Sequence, residues 1–171
     1  RRIYRLKPHL DRLCDSADAA RIALPFADGS RTSNIAAFTD IIHQTCVASN
    51  QPTADVRYWL TAGTGNLGVT PEGCEAAFYV LVFGGLPSDP AWQTDGVREA
   101  TVPVDLVPHK PRMLAELKSN NYMLNALTAM AARDRGGTFG IGVDADAYIS
   151  ESCVLNVVAL GKDGILRTPP F

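Results

Sequence analysis

No stretch of this chain approaches the roughly 20 consecutive apolar residues that cross a bilayer, although 46% of its 171 residues are hydrophobic. An excess of one charge is lacking too. Sixteen Lys and Arg against 18 Asp and Glu leave a formal net charge of −2, which excludes an electrostatically driven nucleic-acid binder. With 20% charged residues the composition is equally unlike that of a disordered chain. Cysteines are few and scattered: Cys14, Cys46, Cys74 and Cys153 form no Cys-x-x-Cys, and His9, His43 and His109 do not pair at ligand spacing. A zinc site is therefore not expected. Isolated thiols suit a reducing compartment, and Cys46 and Cys153, in apolar contexts, read as small core residues. No Gly-x-Ser-x-Gly is present. The glycine-rich stretch Gly63-Thr64-Gly65-Asn66-Leu67-Gly68 lacks the Gly-Lys-Ser/Thr of a phosphate loop, and no helical pattern follows it. It reads as a hairpin loop.

What is present is a mixture of helical and strand patterns. Pro8 to Arg21 carries Leu10, Leu13, Cys14 and Ala17 at helical spacing, with proline in the tolerant first turn. After the turn Asp28-Gly29-Ser30, Ser33 or Asn34 can cap a helix to about Ser49 with Ile35, Phe38, Ile42 and Cys46 on one face; His43 inside it reads as structural. Asp55 to Ala62 and Ala76 to Phe83 read as strands, and Thr101 to Val107 alternates like one. Residues 84–100 are polar and turn-rich, and Pro103, Pro108 and Pro111 break any helix. A junction between two lobes is expected at 104–112, giving a lobe 1–107 and a second, 108–171. Asn121 to Arg135 is a helix stopped by Gly136-Gly137. Phe139 to Val143 and Ala147 to Ser150 are strands joined by an acidic turn; Val154 to Leu160 and Ile165 to Thr168 form a hairpin turned at Lys162-Asp163-Gly164. Helices and strands do not alternate as a doubly wound sheet requires, so the fold class is α+β.

Lysine is scarce, and that scarcity is informative. Lys162 sits in a hairpin turn, and Lys7 and Lys110 each adjoin a proline in loop-like sequence. Lys118 alone stands at the mouth of a capped helix, in Lys118-Ser119-Asn120-Asn121-Tyr122-Met123-Leu124-Asn125. An isolated lysine before a helix is ordinarily just solvated. Here, however, Tyr148-Ile149-Ser150-Glu151-Ser152 follows, a carboxylate at the end of a strand and expected to be partly buried. Lysine and carboxylate together are what a pyridoxal phosphate site needs: an amine for a Schiff base, and a partner for the protonated pyridine nitrogen. Arg12, off the apolar stripe of its helix, can offer a phosphate a bidentate guanidinium. Arg57, in Val56-Arg57-Tyr58-Trp59-Leu60, is a charge inside an apolar strand; it can meet a substrate carboxylate or pair with an acid such as Asp55.

Taken together these segments resemble the fold-type IV pyridoxal phosphate enzymes: branched-chain aminotransferases, D-amino-acid aminotransferases and aminodeoxychorismate lyases. The matching stretches are Leu6 to Leu13 with Ser16-Ala17, Arg57 to Gly63, Lys118 to Leu127, Gly142 to Glu151 with Asn156, and Gly164 to Phe171. The Tyr58-Trp59 segment is most similar to the plant-type D-amino-acid aminotransferase branch. The resemblance implies a small α/β lobe followed by the first part of a larger pseudo-barrel lobe. It also implies that Lys118 forms the Schiff base and moves the proton, Glu151 pairs with the pyridine nitrogen, Arg12 holds the phosphate, and Tyr122 and Asn156 face the pocket. Arg57 then lies on the substrate side. The implied activity is transamination between an amino acid, of D configuration in that branch, and a 2-oxo acid, carried out by a homodimer in the cytoplasm or plastid stroma. The same lysine and glutamate serve an aminodeoxychorismate lyase or a branched-chain aminotransferase equally, and a protein that keeps the fold without the chemistry is the non-enzymatic alternative. Two positions depart from the pattern, where the family has glycine: Ser152 and Ala147. Ser152 puts a side chain beside the cofactor, and Ala147 asks the turn to avoid a positive φ. The chain begins at Arg1 rather than methionine, and we expect it to be a piece of a longer polypeptide.

Overall fold

A computed structural model describes residues 3–26, 28–65, 67–85 and 88–168. Asn66 of the glycine-rich stretch and Pro169-Pro170-Phe171 of the last matching segment lie outside the described residues. The chain divides into two compact units, Arg1–Pro87 and Ser88–Phe171.

The first unit packs helices α1 (Leu6–Ala19) and α2 (Arg31–Ala48) on the antiparallel pair β1 (Asp55–Thr64) and β2 (Glu75–Phe83). Its core is Leu10, Cys14, Phe38, Ile42 and Cys46, covered by Val56, Tyr58, Leu60, Phe78, Val80 and Val82. Strand alternation sends those side chains inward and leaves Arg57 and Tyr79 on the other face. Phe38 and Phe78 approach with ring centroids 4.3 Å apart, while Trp59 stacks on Tyr79 across the strands at 5.6 Å.

The cap of α2 is Ser30, whose hydroxyl accepts from Ser33 N at 3.3 Å, rather than Ser33 or Asn34. Asn34 is instead fully buried. Its side chain accepts from Phe26 N and donates to the Phe26 and Ser30 carbonyls, each at 2.9 Å, so a polar core group is satisfied three times. Burial pushes the Cys14 thiol up, which keeps it an inert core residue. His43 is exposed on α2.

The second unit holds the short helices α3 (Ala91–Thr94) and α4 (Arg112–Glu116), the longer α5 (Met123–Asp134), and a mixed sheet ordered β3-β4-β5. Strand β3 (Glu99–Pro103) runs parallel to β4 (Phe139–Val143), and β5 (Ile149–Ser152) runs antiparallel to it. Helix α5 packs on β4 and β3, burying Ala132 with Val102 and Val107. The approach is close enough that a Cβ on Gly140 would lie 2.8 Å from the Thr128 carbonyl and 2.9 Å from Ala132 Cβ. A small hairpin, β6 (Ala159–Leu160) with β7 (Leu166–Arg167), completes the unit.

Several expectations change. The prolines do not exclude helix between 84 and 112, because Pro90 and Pro111 serve as the N-caps of α3 and α4, where a missing N–H costs nothing. The third strand ends at Pro103, and residues 104–107 turn back, with Val107 N donating to Pro103 O. Because β3 pairs with β4, residues 99–103 belong with the second unit, and the division by contact falls between Pro87 and Ser88. Ala147 adopts the positive φ it was expected to avoid, 64°. Asp144 explains this: its Oδ1 accepts from Asp146 N and Tyr148 N, and its backbone carbonyl accepts from Ala147 N, closing a turn whose last residue is left-handed. Ala147→Gly is therefore expected to raise stability by about 0.5–1 kcal/mol, the left-handed penalty less the greater freedom of glycine when unfolded. A denaturant midpoint measures this.

Candidate active site

Two of the groups picked out for chemistry in the second unit, Lys118 and Tyr122, meet directly, and a third, Glu151, is linked to the Tyr122 ring through Lys110. Lys118 lies in the connection between α4 and α5, where Ser119 N bonds Leu117 O and Tyr122 N bonds Asn120 O, both at 2.9 Å. These tight turns bring Lys118 back onto Tyr122: its Nζ donates to Tyr122 Oη and lies 5.0 Å from the ring centroid. Tyr122 is the N-cap of α5 and caps it with no side-chain bond, so the helix is not side-chain capped as expected. Its carbonyl instead accepts from Ala126 N, starting the helix.

Glu151 is placed by an irregularity in the sheet. Ile141 pairs with Ser152 and Val143 with Ile149, so β5 holds one residue more than β4 between the two pairings. Such a bulge turns consecutive side chains out of strict alternation. Ser150 and Glu151 are both exposed, whereas Ser152 is buried and its hydroxyl donates to Gly140 O at 3.1 Å. Glu151 thus lies inside a strand, not after one, and its side chain is 51% exposed, the partial burial expected. A Cβ on Gly142 would fall 2.5 Å from Ser150 Oγ and 3.3 Å from Glu151 O, so a larger residue there would require the Ser150 side chain to turn away and the bulge to shift slightly from β4. The buried Ser152 hydroxyl is spent on the sheet, which answers how a serine is accommodated beside Glu151.

Sequence alone does not single out Lys110. Its side chain is only 12% exposed, its Nζ stands 3.4 Å from Glu151 Oε2, and it lies 5.1 Å from the Tyr122 ring centroid. Two ammonium groups therefore share the face and edge of one tyrosine, with Glu151 as the counter-charge. Beside Lys110 and Glu151 is a recess of about 30 Å³, lined also by Val107, His109, Asn125 and Ser152, room for a water rather than a substrate. Two buried polar atoms, His109 Nε2 and Asn125 Oδ1, have no hydrogen-bond partner there among the described residues. Asn125 is otherwise anchored, its amide donating to Cys153 O at 2.7 Å. No compositional signal marks Lys110, His109 or Asn125; their burial depends on contacts distant in sequence.

Asn156 is exposed and does not enter this cluster. Arg12 and Arg57 belong to the first unit. Arg12 is exposed on α1 beside His9 Nδ1, at 3.2 Å. Arg57 is exposed on the outer face of β1 with its guanidinium 5.9 Å from the Phe83 ring centroid, and among the described residues no ion pair joins it to Asp55. Among the described residues no group of three His, Cys, Asp or Glu could hold a metal ion, and no helix is long and apolar enough to cross a membrane.

Comparison with known proteins gives this arrangement a context. The chain is 33% identical over 163 residues to the chloroplastic D-amino-acid transaminase of Arabidopsis thaliana, covering 95% of this chain and 40% of that protein. Among solved structures, the branched-chain amino acid aminotransferase of Escherichia coli matches with a TM-score of 0.78 at 26% identity, over 98% of this chain and 53% of that one. A second branched-chain amino acid aminotransferase, from T.th. and solved with pyridoxamine 5'-phosphate, matches with a TM-score of 0.72 at 23% identity, over 96% of this chain and 52% of that one. The chain thus spans about half the length of the proteins it matches, and its fold is the corresponding portion of the fold-type IV aminotransferases. The model of the amino-transferase class IV family matches residues 1–171, so this chain belongs to that family.

Proposed function

We propose that this chain carries the lysine-bearing portion of a pyridoxal phosphate-dependent aminotransferase that acts on D-amino acids and 2-oxo acids. The observation that carries the reading is the cluster itself: the Lys118 amine held by the Tyr122 hydroxyl, and the Glu151 carboxylate paired with Lys110, whose ammonium lies over the same ring. The donor set fits the cofactor. Glu151 keeps lone pairs beyond its single 3.4 Å ionic contact, and buried Asn125 Oδ1 and His109 Nε2 remain unpartnered beside it. When bound, the cofactor supplies an aldehyde for an amine and a pyridine ring that accepts electrons.

The chain's own residues do the rest. Lys118 Nζ would supply the amine and, once free of the cofactor, would carry a proton between the substrate Cα and the cofactor carbon. Tyr122 Oη orients that amine by accepting its hydrogen bond. Glu151 offers a carboxylate to a protonated ring nitrogen. Arg12 and Arg57 are exposed guanidiniums; the first suits a phosphate and the second a substrate carboxylate. Identity to a D-amino-acid transaminase favours the D configuration.

The test uses the full-length polypeptide loaded with pyridoxal phosphate. D-Alanine with 2-oxoglutarate should give pyruvate and D-glutamate. Turnover confined to L-leucine, L-isoleucine and L-valine would replace the proposal with branched-chain transamination, and pyruvate released from aminodeoxychorismate without an oxo-acid acceptor would replace it with the lyase. A homodimer belongs to the same reading, and sedimentation of the full-length protein checks it.

A further inference from the structure

We propose that Lys110 is a positioning residue that holds Glu151 for the cofactor, because its nearly buried ammonium stands 3.4 Å from Glu151 Oε2 while its other neighbour is the Tyr122 ring face. The inference rests on the pyridoxal phosphate reading and extends it to a residue outside the cluster expected from sequence.

The two partners are unequally buried. Lys110 is 12% exposed and Glu151 is 51% exposed, so the fixed member of the pair is the lysine. A buried ammonium is retained only with a counter-charge, and Glu151 is the carboxylate the structure gives it. The backbone fixes Lys110 as well. It lies in Pro108-His109-Lys110-Pro111, where each proline locks its own φ and Pro111 restricts Lys110 to extended conformations.

Glu151, by contrast, sits on a bulge at the sheet edge with its neighbours Ser150 and Ile149 exposed. Left alone, its carboxylate would sample several rotamers. The 3.4 Å contact exceeds the 2.7–2.9 Å of a direct charge-assisted hydrogen bond. It therefore steers the carboxylate without using its lone pairs, of which about four are available. Lys110 acts through Glu151, and any group that Glu151 binds finds the carboxylate already in place.

The experiment is a titration of the full-length protein with pyridoxal phosphate, followed by absorbance. Lys110→Met is expected to weaken binding about three- to tenfold, the cost of ordering one long side chain. Lys110→Arg, which keeps the charge, should restore it. In a Glu151→Gln background the Lys110→Met change should matter less than about twofold, since coupled residues are not additive. Acetylation of Lys110 in the cofactor-free protein, with the lysine intact, should accelerate in Glu151→Gln. This readout stands if the methionine variant fails to fold. Equal weakening in both backgrounds, or an unchanged acetylation rate, overturns the inference. Binding by the unsubstituted protein is the control: its absence removes the cofactor reading and this inference together, whereas normal binding with no effect at Lys110 removes only the inference.

Discussion

Replacing Lys118 with alanine is expected to abolish transamination by the full-length enzyme while leaving the fold intact. The side chain is exposed and lies in a connection, not in either hydrophobic cluster, so its loss removes no core contact. On the proposed reading, what it removes is the amine that would attach the cofactor and the base that would move the Cα proton. The proton transfer alone is worth about 10²–10⁴ in rate, and the loss of attachment adds to it. Tyr122 Oη, which accepts from Lys118 Nζ, would be left without that donor. A small exogenous amine should restore part of the rate if, as proposed, the missing group is a proton acceptor and not a packing element. Stopped-flow single turnovers of the variant, with and without added amine, measure both effects. A variant that transaminates at the parent rate contradicts the assignment of Lys118.

Glu151→Gln is expected to cost about 10- to 100-fold in rate. The amide preserves the shape of the carboxylate but not its charge. Hydrogen bonds to charged groups are worth about 1.5–3 kcal/mol, and each 1.36 kcal/mol is tenfold. The same substitution strips Lys110 of its 3.4 Å counter-charge, so the unfolding midpoint should fall as well. Glu151→Asp retains the charge on a shorter arm and should lose rate with less loss of stability. The two variants together separate the electronic contribution from the structural one. Parent-level rates in the glutamine variant would mean that Glu151 does not partner the ring nitrogen.

The sequence made local relations legible and distant ones obscure. Lys118 and Tyr122 are four residues apart in one segment, and their meeting needs only the turns at Ser119 and Tyr122. Apolar periodicity placed α1, α2, β1, β2, α5 and β4 to within a few residues, because each buries one face against a neighbour. Lys110 is not legible in this way because an adjacent proline reads as loop, and nothing local says that the loop is covered. Its burial arises where the chain returns after β3 has paired with β4.

The bulge at Glu151 is equally invisible, since it is a mismatch between two strands and not a property of either. At Ala147 a preference for negative φ is outweighed by hydrogen bonds to Asp144. Ser30 caps α2 in place of Ser33 and Asn34 because the core claims Asn34 first. In each case tertiary context prevails over a local rule.

The central claim is that Lys118, among four lysines, bears the cofactor. Borohydride reduction of the full-length protein with pyridoxal phosphate, followed by peptide mapping, tests it most directly. The account predicts one stable pyridoxyl label at Lys118, with Lys110 unlabelled although it lies against the same tyrosine. A label on Lys110, or none on either lysine, would contradict it.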